Sequence, residues 1–204
     1  MPDKTLFITG IGTGIGKTIV SAVLTEKLKS DYWKPIQSGD LDDSDTLKVR
    51  NLVSNNTSVF HTEAYRLTQP YSPHKSAAID GITIDLNKII APKTNNNLLI
   101  EGAGGLMVPL NDEYLMIDLI KQLNVEVVLV SQNYLGSINH TLLSVALLKQ
   151  YDIKIAGIIF NGKTDENSES YILNYTGVKL LGHLHEFETV DKDAIIKAGD
   201  FITL

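Results

Sequence analysis

Residues 10–21 read GIGTGIGKTIVS, and the fold turns on them. Before them stands TLFIT (residues 5–9), a short apolar run rich in β-forming residues. After the loop, apolar residues recur at Ile19, Val20, Val23, Leu24 and Leu28, the spacing of one helix face. Strand, glycine loop and helix in that order are the setting a phosphate-binding loop requires. Gly10, Gly12, Gly14 and Gly16 let amide N–H groups converge on phosphate oxygens, and the helix that starts where the loop ends adds its own free N–H groups and the positive end of its dipole. Lys17 can reach β- and γ-phosphates, and the Thr18 hydroxyl can ligate Mg²⁺. Ile11 makes the loop one residue longer than the usual pattern, in which four residues separate the first glycine from Gly-Lys-Thr. The alternative is a glycine-rich turn with a chance Gly-Lys-Thr, and the flanking strand and helix weigh against it.

The rest of the composition fits such an enzyme. A chain of 204 residues suits one α/β domain, here taken as residues 1–204. The net charge is −6 and Lys and Arg form no run, which argues against nucleic acid and anionic membranes as partners. Without cysteine there is no disulfide, thiolate metal site or cysteine nucleophile. Residues 1–4 lead straight to the first strand with no signal-peptide pattern, and no apolar run reaches membrane-spanning length, so a cytoplasmic enzyme is expected.

Along the chain, YWKPIQSG (residues 32–39) reads as a short strand ending in a turn, with Pro35 at its end or away from the sheet's middle. Residues 44–53 read as a helix capped by Ser44, 59–66 as a short strand, 69–74 as a loop broken by two prolines, and 76–80 as a helical turn. Residues 85–91 read as a short helix ended by Pro92. Buried strands are expected at 98–100, 125–130, 153–160 and 178–184. Helices are expected at 115–123, 137–151 (apolar side Leu142, Leu143, Val145, Ala146, Leu148), 168–175 and 192–198. Apolar strands alternating with helices predict an α/β fold: a single-domain, P-loop-type parallel sheet with helices on both faces. In such sheets ligands bind at the carboxyl ends of the strands, where Lys17, Lys34, Glu101 and Asn161 fall.

Several side chains there carry possible chemistry. Glu101 closes an apolar strand before GAGG, a position from which a carboxylate can hold a nucleotide's Mg²⁺; a turn-capping carboxylate is the other reading. Lys34 is either a second positive charge beside the reacting centre or a solvated lysine. Asp45, taken alone, reads as a helix-start carboxylate, and near the loop it supplies a further Mg²⁺ oxygen. His183 and His185 lie on one face of a strand but have no third ligand at zinc spacing, so a loop at the nucleotide's edge is expected there. His74 and His140 read as structural, and without Gly-x-Ser-x-Gly a Ser-His-Asp hydrolase finds no support.

Taken together, these stretches resemble the dethiobiotin synthetase family over nearly the whole chain. TGIGTGIGKT (residues 9–18) is similar to that family's Thr-Gly-Thr-Asp-Thr-x-x-Gly-Lys-Thr, and YWKPIQSG to its Tyr-Lys-Pro-x-x-Ser-Gly. Ser44-Asp45, Ser72-Pro73-His74, IEGAGG (residues 100–105) followed by Val108-Pro109-Leu110, LGSINHT (residues 135–141) and Asn161 follow in the family's order. The resemblance implies an ATP- and Mg²⁺-dependent ligase that forms the ureido ring of dethiobiotin from 7,8-diaminononanoate and CO₂. It implies Lys17 and Lys34 as catalytic residues and Thr18, Asp45 and Glu101 as metal ligands. Nucleotide contacts are implied for Gly12, Thr13, Gly14, Ile15, Gly16, Lys17, Thr18, Ile19, Glu101, Gly102, Ala103, Gly104, Asn161, His183, Leu184 and His185. Ser38, Leu135, Gly136, Asn139 and Tyr171 are implied for the diamine, at a site shared across a homodimer. The chain departs from the family at Gly12, where the loop pattern has an aspartate, at Gly14, often acidic there, and at residues 182–186, which replace an Ile-Pro segment.

The rival reading is a partitioning or maturation switch ATPase acting through protein partners. Its loop usually carries an early lysine, and residues 12–18 hold none before Lys17. A nucleotide kinase with an arginine-rich lid is a poor fit to a chain whose only arginines are Arg50 and Arg66. A non-catalytic nucleotide-binding module leaves Lys34 and Ser38 unexplained.

Overall fold

The apolar run before the glycine loop forms β1 (Thr5–Gly10), and the loop delivers the chain into α1 (Lys17–Leu28). A computed structural model describes residues 4–204; the expectation for residues 1–3 lies outside the described residues. The chain continues through β2 (Asp31–Trp33), β3 (Ile36–Ser38), α2 (Asp45–Leu52), β4 (Phe60–His61), β5 (Tyr65–Leu67) and α3 (Pro73–Ile79). Then come β6 (Leu98–Gly105), α4 (Met116–Leu123), β7 (Glu126–Gln132), α5 (Ser137–Gln150), β8 (Ile155–Asn161), α6 (Glu166–Thr176), β9 (Leu180–Leu184) and α7 (Lys192–Ala198). Seven strands make one parallel sheet in the order β4, β2, β6, β1, β7, β8, β9, while β3 and β5 pair in a separate two-stranded sheet. The expected α/β architecture, a parallel sheet covered on both faces, is what forms.

Alternation along each strand divides the core. Leu6, Ile8, Tyr32, Leu99, Val128 and Val130 face α1, α2 and α7, and pack on Val20, Val23, Leu24, Val49 and Ile195. Phe7, Trp33, Leu98, Ile100 and Val127 face the opposite side, against Ala77, Ile117, Ile120 and Leu148. Farther along, Leu129, Ile158 and Phe160 meet Val145 and Ile172 of α5 and α6. Strands buried on both faces cannot alternate apolar with polar, which is why they read as continuous apolar runs.

Five segments differ from their expected form, one of them residues 85–91, where in place of a short helix only a three-residue 3-10 turn, Leu86–Lys88, forms, with the Asp85 side chain accepting from Asn87 N. The strand expected at residues 32–39 is cut in two at Lys34-Pro35: Pro35 has no N–H to give a ladder, and the chain leaves the main sheet to re-form as β3 beside β5. Residues 59–66 likewise split into β4 and β5, with buried Glu63 between them accepting from Thr46 Oγ1 at 2.6 Å and Arg66 Nη1 at 3.0 Å. The helical turn at 76–80 begins earlier, because Pro73 is tolerated in a first helical turn, where its missing N–H costs nothing. The apolar side of α5 is narrower than expected. Ser137, Thr141, Val145 and Leu148 are buried, whereas consecutive Leu142 and Leu143 cannot share one helix stripe and Leu143 faces outward.

Candidate active site

At the carboxyl ends of β1, β2 and β6 lies a cleft of about 690 Å³. Its floor is the glycine loop. Gly16 stands at the helix N-cap with φ 87°, a left-handed conformation suited to glycine, and no side chain caps the first turn of α1, so those N–H groups remain for an anion. A methyl group on Gly16 would lie 2.2 Å from Asn161 Nδ2, and that same amide donates to Ile15 O at 3.0 Å. Asn161, at the end of β8, is therefore packed on the loop and tied to it.

Lys17 is buried and donates to Gly12 O at 2.8 Å, within its own loop. Burial drives its pKa down to about 8; Glu101 opposes that shift and Lys34 adds to it. Thr18 Oγ1 lies 3.1 Å from Asp45 Oδ1 and 3.2 Å from Glu101 Oε1. Lys34 Nζ lies 2.7 Å from Asp45 Oδ2 and 3.1 Å from Glu101 Oε1. Burial alone would discharge this lysine, but the Glu101 and Asp45 carboxylates outweigh it and raise its pKa above the ordinary lysine value. Burial likewise works against the Asp45 carboxylate, and Lys34 lowers its pKa in spite of it.

The backbone explains why these groups meet. In β2 and β6 Trp33 pairs with Ile100, so Tyr32 and Lys34 share a sheet face with Leu99 and Glu101, the face that α1 and α2 cover. Ser44 caps α2 by accepting from Leu47 N, which sets Asp45 at the first turn, and Gln37 Oε1 accepts from Asp45 N at 3.3 Å. Asp45 is thus both the helix-start carboxylate and a member of the site.

Thr18, Asp45 and Glu101 converge as two carboxylates and a hydroxyl, the hard oxygens that suit Mg²⁺ beside a phosphate chain. Among the described residues no group of three or more His, Cys, Asp or Glu side chains could hold a metal by itself. A dedicated all-protein cage is not what Mg²⁺ needs, since substrate phosphates and waters complete its shell.

Thr13, Gly14, Gly16, Lys17, Thr18, Lys34, Ser38, Asp45, Glu101, Ala103 and Gly104 line the cleft together. Gly12 and Ile15 serve the loop itself, through the Lys17 contact and through a buried side chain. Ile19 follows in α1 and packs against the core, and Gly102 presses on Phe7. His183 has Nδ1 3.2 Å from Glu169 Oε2 and Nε2 2.8 Å from Gly162 O, and its ring stacks on His185 at 4.6 Å. Leu184 is buried, and its carbonyl accepts from Gly162 N. These three, with Asn161, lie outside the cleft lining. So do Leu135, Gly136, Asn139 and Tyr171: Leu135 and Asn139 are exposed beside the start of α5, with Gly136 as its N-cap, and exposed Tyr171 stacks on Tyr175 in α6.

The sequence reading passed over two contributors. Tyr32 donates to Glu101 Oε2 at 2.9 Å from a fully buried position. Gln37 steadies Asp45 while its Nε2 donates to Gly39 O at 2.9 Å. The signal was present in the spacing, because a residue two before Lys34 on a strand shares its face.

Solved structures share the architecture at low identity. The Pyrococcus furiosus cell division ATPase MinD superposes with a TM-score of 0.63 at 15% identity over 97% of each chain. A ParA family ATPase from Chlorobium tepidum gives 0.57 at 12% identity, covering 97% of this chain and 98% of that one. Both likenesses concern the fold alone. A family profile described as an AAA domain matches residues 4–194. Two relatives are much nearer. The ATP-dependent dethiobiotin synthetase BioD of Christiangramia forsetii is 53% identical over 183 residues, 90% of this chain and 88% of the relative. The protein of the same name from Cytophaga hutchinsonii is 50% identical over 193 residues, 94% and 93%. With identity of that order along almost the full length, and the expected cluster around Lys34 in place, the chain belongs to the ATP-dependent dethiobiotin synthetase family.

Proposed function

We propose that this enzyme closes the ureido ring of dethiobiotin from 7,8-diaminononanoate, CO₂ and ATP, releasing ADP and phosphate. The observation that carries the reading is the buried ammonium of Lys34, held between Asp45 and Glu101 at the mouth of the phosphate loop.

One amine of the diamine adds to CO₂ and loses a proton, giving a carbamate. A carbamate oxygen attacks the γ-phosphorus as ADP departs, leaving a carbamic–phosphoric anhydride. The second amine attacks the carbonyl carbon, loses a proton and expels phosphate, which closes the ring. Two anions must meet in the middle step, so fixed positive charge lowers its barrier. Lys34 supplies it on the acceptor side. On the donor side, the amides of residues 12–18 grip the phosphates, and Lys17 exchanges Gly12 O for a phosphate oxygen. Mg²⁺, held by Thr18, Asp45 and Glu101, would neutralise charge on the phosphate chain. The Ser38 hydroxyl is buried without a hydrogen-bonding partner in the wall of the cleft, which suits it to orient the diamine or its carbamate.

Leu135, Gly136 and Asn139 at the start of α5, with Tyr171, receive the diamine's carboxylate tail, and a helix N-terminus favours that charge. They lie outside the Lys34 cleft of their own chain. That placement supports a homodimer in which one subunit's α5 completes its partner's site. His183, Leu184, His185 and Asn161 take the nucleobase side. The reading carries a cytoplasmic location with it, and no helix among the described residues is long and apolar enough to cross a membrane.

An assay with Mg²⁺, ATP, bicarbonate and diaminononanoate tests the function. ADP release that depends on the diamine, with dethiobiotin formed in equal amount, is expected. ADP release indifferent to the diamine would sink it.

A further inference from the structure

Glu101 is 1% exposed, and its two oxygens face different ways. Oε1 meets Thr18 Oγ1 at 3.2 Å and Lys34 Nζ at 3.1 Å; Oε2 accepts the Tyr32 hydroxyl at 2.9 Å. Tyr32 is fully buried, with its ring tilted against Phe60 at 6.1 Å between centroids. A carboxylate oxygen only accepts, so across this contact the Tyr32 hydroxyl is the donor.

We propose that Tyr32 is a positioning residue that holds Glu101 as a one-oxygen ligand and thereby makes the site selective for a small octahedral cation over Ca²⁺. The inference rests on the proposed Mg²⁺ site at Thr18, Asp45 and Glu101. Mg²⁺ sits near 2.0–2.1 Å from about six oxygens, whereas Ca²⁺ takes six to eight at longer distances and readily accepts both oxygens of one carboxylate. With Oε2 engaged by a buried donor, Glu101 offers one oxygen. Removing the hydroxyl frees the second oxygen and lets the carboxylate turn to chelate a larger ion. A hydroxyl that merely found a partner inside the core would have no bearing on which ion binds.

The test is Mn²⁺ binding, read by electron paramagnetic resonance with a non-hydrolysable ATP analogue bound and Ca²⁺ as competitor. In Tyr32→Phe the preference for Mn²⁺ over Ca²⁺ is expected to fall by about tenfold, the scale on which loss of a metal site's outer hydrogen bonds acts. General loosening would weaken both ions alike and leave the ratio unchanged. 4-Aminophenylalanine at position 32, which retains a donor, is expected to restore the ratio; Tyr32→Met is the second deletion of the donor if the first does not fold. A wild-type ratio in the folded variant overturns the proposal. Glu101→Gln run alongside separates the two readings. If it leaves both ions bound as in the wild type, the metal site itself fails. If it weakens them while the Tyr32 variant keeps the wild-type ratio, only the role of Tyr32 falls.

Discussion

Around Lys34 the chain holds Thr18, Asp45, Glu101 and Tyr32 in contact, on four separate elements and largely away from water. At the carboxyl end of β7, on the same end of the same sheet, Leu135 and Asn139 stand in solvent, and the Tyr134 hydroxyl pairs with His140 Nδ1 across 2.8 Å on the protein surface. On the proposed mechanism the contrast follows the chemistry of each region. Charges that must stabilise a transferring phosphoryl group are effective only when fixed beforehand in a water-poor place. In the proposed reaction the α5 surface takes only the diamine's tail, with substrate and a second subunit completing it, and so needs no such assembly.

The comparison breaks most readily at Lys34. Lys34→Ala is expected to fold and to lose on the order of 10²–10³ in kcat, the cost of deleting one preorganised electrostatic contact. Near-normal dethiobiotin formation in steady-state kinetics would show the assembled region to be structural. Glu101→Gln should weaken Mg²⁺ on the order of tenfold to a hundredfold in a metal titration of ADP release. An unchanged titration would assign Glu101 to the fold alone. In the open region the effect should be smaller and of another kind. Asn139→Ala is expected to raise the KM for the diamine about tenfold, one hydrogen bond to a charged group, with the KM for ATP unmoved. Parallel changes in both would mean the regions are not separable.

The smallest effect is expected from pH. Lys17 is held near 8 by burial, and a bound triphosphate will draw its pKa upward. Between the two values binding takes up a proton, so nucleotide affinity should fall a few-fold for each unit of pH above about 8. Calorimetry in buffers of differing ionisation enthalpy would detect the uptake, and Lys17→Arg should abolish it. For the unliganded protein the sign is the reverse. The unfolded chain holds this proton up to 10.5, so Lys17 makes stability rise with pH between about 8 and 10.5.

The assembled region was also the legible one. The glycine loop announces itself because its geometry is local, and Glu101 because a carboxylate closing an apolar strand is conspicuous. Tyr32 was legible only as a neighbour of Lys34 on one strand face; that it meets Glu101 depends on the pairing of β2 with β6, which the order of residues along one strand does not display. The division of residues 59–66 was hidden for a similar reason. Glu63 turns the chain there by binding Thr46 and Arg66, and the Thr46 contact reaches back to another element. The open region was read through family motifs, and its side chains carry no signature of their own.

The departure of the chain at Pro35 has a further consequence. The cleft wall that holds Ser38 hangs on the separate β3–β5 pair and on Gly39, which sits at φ 70° so closely against Pro70 that an added methyl would lie 2.6 Å away. The phosphate grip belongs to the seven-stranded sheet. The wall that carries Ser38 and the phosphate loop therefore stand on two rafts moored to each other near Lys34. On the proposed mechanism, exchanging residues 36–39 together with 65–73 would redraw the part of the acceptor site around Ser38, while the phosphate loop and the α5 contacts proposed for the diamine's tail stay in place.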